Sequence, residues 1–197
     1  MRYLTRIAMT VMLAFAPGSA YATLNVGAPA PPFTLDAALA GKAIKFTLAD
    51  ALAKGPVVVY FYPKSFTKVC TQEAHLFSEA MSDFHELGAS VIGISTDDME
   101  TQRAFSATEC RDEFPVAADT SGAVAKAYDT AFSHGKNVMA LRTTYVITPD
   151  GLIGTALSAS DAETHVNSAL EFVRAWRDAN SKSAAGSAGA AEPPKEN

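Results

Sequence analysis

The sequence predicts an α/β domain, with a central mixed sheet and helices on both of its faces. Three observations predict it. Short runs of uninterrupted apolar residues, such as residues 57–61 in "GPVVVYFYP", suit strands buried on both sides. Other segments repeat their apolar residues every three or four positions, the period of an amphipathic helix. The two kinds of segment alternate along the chain, an order that lays helices over a sheet.

The first 22 residues are set aside from that domain. Arg2 and Arg6 precede an uncharged apolar run over residues 7–16, and Ala20-Tyr21-Ala22 forms a small-x-small cleavage site. This order reads as a secretory signal peptide cleaved after Ala22. The apolar run is half of the roughly 20 residues a spanning helix needs, so a retained interfacial anchor is the alternative.

Within residues 23–180, read as one domain, "AIKFTLAD" is a weak strand candidate, and "GPVVVYFYP" and "ASVIGIST" are strong ones. "TTYVITPDG" is a further strand that ends in the Asp150-Gly151 turn, from which "LIGTALS" returns antiparallel. Phe77, Ala80, Met81, Phe84 and Leu87 mark one amphipathic helix over residues 70–87, closed by Gly88. "DDMETQRAFSATEC" is a second helix, opened by Asp97 or Asp98. "DAETHVNSALEFVRAWRDA" is a third, capped by Asp161, with Val166, Leu170 and Val173 inward and Trp176 in the core or at its edge. Residues 181–197, rich in Ala, Gly, Ser and Pro, read as a disordered tail.

Charge excludes some partners. The chain carries 16 basic and 21 acidic residues, a formal net charge of −5 that becomes −7 once Arg2 and Arg6 are removed. Nucleic acid and anionic membranes both require a basic face, so neither is an expected partner. His75, His85, His134 and His165 lack paired ligand spacing and no C-x-x-C is present, so neither a metal nor a cofactor is expected. His75 is read as a helix residue close to the site.

The two cysteines carry the chemistry. Pro63 blocks an earlier helix start and Thr67 is a favoured N-cap, which makes Cys70 the third helical residue. Its sulfur lies in the first turn, where unpaired N–H groups and the helix dipole favour a thiolate. The alternative is a small buried hydrophobe.

The pattern Pro63-x-x-x-Thr67-x-x-Cys70 resembles the active-site motif of the peroxiredoxins, and "LRTTYVITPDG" resembles their second landmark, carried here by Arg142. The resemblance runs from "VGAPAPPFTL" to about Trp176 and implies a thioredoxin-like fold. It implies a thiol peroxidase in which Cys70 attacks hydrogen peroxide or a small organic hydroperoxide and becomes a sulfenic acid. Arg142, the Thr67 hydroxyl and first-turn N–H groups would stabilise the leaving oxygen, and Pro63 would shape the pocket. Without the family match, Arg142 reads as a solvated charge or an ordinary ion pair.

The subgroup that the chain most resembles is that of bacterioferritin comigratory protein, or peroxiredoxin Q. Its common resolving cysteine five residues on is replaced here by His75, so Cys110 is the internal candidate, with an external thiol as the alternative. A structural thiol is the third reading of Cys110. Glu73 matches the subgroup's "C-T-x-E-A" stretch and is read either as a partner of Arg142 or in proton transfer, or as a solvated helix glutamate. A thiol reductant, for instance a thioredoxin-like protein, a monomer or weak dimer, and a periplasmic location complete the expectation. A non-catalytic thioredoxin-like binding module is the reading from outside enzymology.

Overall fold

The computed structural model describes residues 23–188, with side chains through residue 182. The predicted signal peptide and residues 189–197 lie outside that range. Seven strands form one sheet, β1 (Thr34–Leu39), β2 (Lys42–Thr47), β3 (Val57–Phe61), β4 (Ser90–Ser95), β5 (Val116–Ala118), β8 (Thr143–Ile147) and β9 (Ile153–Ser158), in the order β2-β1-β5-β4-β3-β8-β9. The β3–β4 and β4–β5 pairs are parallel, and the outer pairs are antiparallel. The sheet is mixed, as the sequence predicts. A separate hairpin joins β6 (Ala131–His134) to β7 (Asn137–Ala140).

Every residue of β3 is buried, and successive side chains point to opposite faces. Val58, Tyr60 and then Tyr62 enter one core, beneath α2 (Lys68–Glu79), α3 (Met81–Glu86), α4 (Met99–Thr108) and α6 (Ala162–Ala188). Val57, Val59 and Phe61 enter the other, shared with α1 (Leu48–Leu52) and α5 (Ala123–Ala127). A continuous apolar run is therefore what the centre of a doubly covered sheet requires. On the first face Tyr60 stacks on Phe77 with ring centroids 4.5 Å apart, and its ring end lies over Gly93 of β4. An added Cβ at Gly93 would fall 2.7 Å from the Tyr60 hydroxyl oxygen, so this close approach requires glycine.

The caps fall largely where the sequence places them. Asp98 accepts from the Thr101 N–H at the start of α4, and Asp161 accepts from the Thr164 N–H at the start of α6. Gly88 takes a left-handed φ of 72° after α3, and the Ala89 N–H reaches back to the Phe84 carbonyl. Two expectations are corrected. The single helix over residues 70–87 is two, separated at Ala80, whose N–H is shared between the Leu76 and Phe77 carbonyls. That tightened turn keeps Phe77, Met81 and Phe84 all buried. The tail read as disordered from Ser181 begins as helix, since α6 continues to Ala188. An alanine-rich run prolongs an existing helix without a new nucleation cost.

Candidate active site

The site lies where β3 ends and α2 begins, beyond the carboxyl edge of the parallel strands. The connecting loop is fastened to the neighbouring elements. The Ser65 N–H donates to Asp97 at 2.7 Å, the Ser95 hydroxyl donates to the same carboxylate oxygen, and the Tyr62 hydroxyl donates to Gln102 of α4 at 2.8 Å. Gln102 in turn donates to Ser95 and to the Ala117 carbonyl. Phe66 is held at a left-handed φ of 62° with half its surface exposed, a conformation that costs about 1–2 kcal/mol in a non-glycine residue.

Thr67 occupies the N-cap position with extended backbone, but its hydroxyl donates backward to the Lys64 carbonyl at 2.9 Å and makes no side-chain cap. The first turn of α2 thus keeps N–H groups without a side-chain acceptor. This alters the expected role of Thr67, because its proton is already engaged and its lone pairs are what it can offer.

Cys70 follows in that first turn and is 1% exposed. Arg142, from the residue before β8, donates Nη2 to the Cys70 sulfur at 3.2 Å and Nη1 to Glu73 Oε2. Three residues far apart in sequence meet here. Glu73 is fully buried, so the reading as a solvated helix glutamate is wrong: one turn beyond Cys70, its side chain points under the helix and onto Arg142. Burial pushes its carboxyl from an ordinary 4.5 up to about 8, against the downward pull of Arg142. Burial works against the Arg142 charge as well, but Glu73 and Cys70 outweigh it and the guanidinium stays protonated. Arg142 is therefore not a solvated charge.

Cys110 is buried in the same apolar cluster as Cys70, among Tyr62, Phe105 and Phe114, and both thiols are free. Burial raises the Cys110 thiol far above its ordinary range, and Glu109 adds to the effect. The thiol follows the last turn of α4 and is succeeded by two residues in left-handed conformation, Arg111 at φ 51° and Asp112 at φ 63°. His75 bonds Glu109 at 2.8 Å, and Arg111 bonds Glu79 at 3.2 Å. His75 therefore ties α2 to the Cys110 segment. Pro63 and Lys64 line a cleft of about 830 Å³ together with Thr96, Asp97 and the β6–β7 hairpin. Of the catalytic residues expected from the sequence, only Pro63 borders that cleft. Trp176 is half-buried on α6.

Three residues near the site carry no motif: His165, Thr144 and Tyr60. His165 lies on the inward stripe of α6 with Ala162, Val166 and Ala169, so helical period was the signal that could have found it.

The AhpC/TSA family matches residues 26–156. A Mycobacterium tuberculosis relative that carries the name peroxiredoxin is 36% identical over 132 residues, which are 66% of this chain and 85% of its own. A Helicobacter pylori relative named as a peroxiredoxin and as bcp is 33% identical over 152 residues, 75% of this chain and 97% of its own. The crystal structure of peroxidoxin BcpB from Mycobacterium tuberculosis superposes with a TM-score of 0.71 at 32% identity, covering 76% of this chain and 96% of that one. Fold and relatives together define a thioredoxin-like thiol peroxidase, an oxidoreductase. The chain belongs to the AhpC/TSA family and, within it, to the peroxiredoxins of the bacterioferritin comigratory protein or peroxiredoxin Q type.

Proposed function

We propose that Cys70 is the peroxidatic thiol and that the substrates are hydrogen peroxide and small organic hydroperoxides. The observation that carries this is the Arg142 guanidinium donating to the buried Cys70 sulfur at 3.2 Å in the first turn of α2. A fixed cation beside the sulfur favours the anion that attacks, and the open N–H groups of the turn suit the negative charge that develops as the O–O bond breaks. The thiolate takes one peroxide oxygen and becomes sulfenic acid, while the other oxygen leaves as water or alcohol after taking a proton.

Cys110 then condenses with the sulfenic acid, forming the S–S bond and releasing water. A disulfide requires Cα atoms within about 7 Å, so the segment holding Cys110 rearranges if the reduced fold keeps the two further apart. Its two left-handed residues support a segment ready to move, since each stores on the order of 1–3 kcal/mol. An external dithiol, such as a thioredoxin-like protein, takes up the disulfide and restores both thiols. The protein acts in the periplasm after cleavage at Ala22, as a monomer or weak dimer. The complete burial of Cys110 favours one other reading, in which an external thiol resolves Cys70 and Cys110 is structural.

The test is the rate at which reduced protein consumes one equivalent of hydrogen peroxide, followed by a free-thiol count. Fast consumption with two thiols lost supports the disulfide route, and one thiol lost supports the external thiol. Cys70→Ser must abolish consumption. If it does not, Cys70 is not the peroxidatic residue.

A further inference from the structure

Arg142 touches two groups that can each become an anion, the buried Cys70 Sγ and Glu73 Oε2, and is itself left with little exposure. One buried cation is balanced by one buried anion, so the ionised forms of these groups compete for it. Which one carries the charge decides whether Cys70 is a nucleophile.

The far side of Glu73 bears on that choice. Its Oε1 is buried without a hydrogen-bond partner among the described residues, and His165 Nδ1 lies 4.0 Å away, itself fully buried. His165 Nε2 is 3.1 Å from the Ala159 carbonyl, which can only accept, so Nε2 holds the ring proton. Nδ1 of the neutral ring then offers a lone pair, to which the Thr144 hydroxyl donates at 2.8 Å. An ionised Oε1 would face that electron-rich edge of the ring with no donor among the described residues, whereas a protonated Oε1 sets no charge against it.

A second proton on His165 is opposed first by burial and also by Arg142, although the Ala159 carbonyl and Asp161 at the start of α6 work the other way. From β3, the Tyr60 hydroxyl is likewise buried and unpartnered among the described residues, and its own ionisation is suppressed by burial. The working proton therefore belongs between Glu73 and His165.

We propose that His165 is a positioning residue for peroxide reduction: as a neutral imidazole facing Glu73 Oε1, it keeps that carboxyl protonated and leaves the Arg142 charge to the Cys70 thiolate. Loss of the Glu73 proton sets a second anion on the guanidinium and weakens its hold on the thiolate. Burial, which raises the Glu73 carboxyl to about 8, acts in the same direction. The inference rests on Cys70 being the attacking thiol.

The test combines a carboxyl-carbon NMR titration of reduced protein labelled at glutamate with the rate of hydrogen peroxide consumption across pH, using Glu73→Gln to assign the signal. The carboxyl is expected to be protonated at pH 7 and to titrate near pH 8, with the rate falling about tenfold per pH unit beyond that point. In His165→Asn the amide can turn an N–H toward Oε1 and stabilise the carboxylate. Titration midpoint and falling limb should both move to lower pH by the same amount, and in a Glu73→Gln background His165→Asn should alter no pH dependence. A purely structural role would instead scale the rate equally at every pH. A carboxylate already ionised at pH 7, or a limb that His165→Asn leaves in place, overturns the proposal. Should His165→Asn fail to fold, His165→Gln, whose longer amide also carries an N–H for Oε1, takes its place in both measurements with the same two outcomes. Should no form consume peroxide faster than free cysteine, the role of Cys70 fails, while the titration still settles the state of Glu73.

Discussion

Glu73→Gln should change how stability depends on pH. A carboxyl whose value rises from 4.5 unfolded to about 8 folded binds more protons in the native state between those limits. Stability of the unaltered protein then falls with rising pH across that window, because the unfolded chain gains by releasing a proton that the folded chain retains. This is the reverse of the usual behaviour of a salt-bridged carboxylate. Each pH unit is worth about 1.4 kcal/mol, so the whole interval contributes roughly 5 kcal/mol. The substituted glutamine has nothing to titrate, and its neutral amide can still accept from Arg142. Urea unfolding at pH 5, 6, 7 and 8 would measure the difference between the two proteins at constant m-value. The stability of Glu73→Gln relative to the unaltered protein should rise steadily from pH 5 to pH 8, whatever constant offset the substitution brings. A flat difference, or one in which the unaltered protein gains as pH rises, would mean that ion pairing with Arg142 dominates burial, and the reasoning would be refuted.

Other perturbations test the frame around the site. Gly93→Ala places a methyl 2.7 Å from the Tyr60 ring, which Phe77 and Tyr62 hold by stacking, and should cost about 1–3 kcal/mol in thermal or urea unfolding. Phe77→Ala, at the centre of the same cluster, should cost about 3–5 kcal/mol. Glu109→Gln removes the charge that His75 binds beside Cys110, a partly exposed contact worth about 0.2–1 kcal/mol. Where Cys110 resolves Cys70, that change should speed disulfide formation up to about fivefold in stopped-flow measurements, while the first reaction with peroxide keeps its rate.

Much of this was legible in the sequence because it is local. The runs in β3, β4 and β8 announced a doubly covered sheet, and Asp98, Asp161 and Gly88 marked helix ends through their own side chains or backbone freedom. The placement of Cys70 at the third position of α2 followed from Thr67 and Pro63 alone. Elements too short to show a period were not found: β1 and β5, the β6–β7 hairpin, α1 and α5. Their hydrophobic pattern spans six residues or fewer, and pairing partners supply what the segment lacks.

The chain by itself thus determined the layers of the fold, the family motif and the position of the reactive thiol, since propensity, period and caps act within a few residues. Only the tertiary structure decided what surrounds that thiol. It brought Arg142 across 72 positions to Cys70, turned the Thr67 proton back to Lys64, and closed Glu73 between Arg142 and His165 of the last helix. The reason is physical: the state of a charge depends on how much water is excluded and which dipoles replace it, and those come from elements that meet only when the whole sheet is covered.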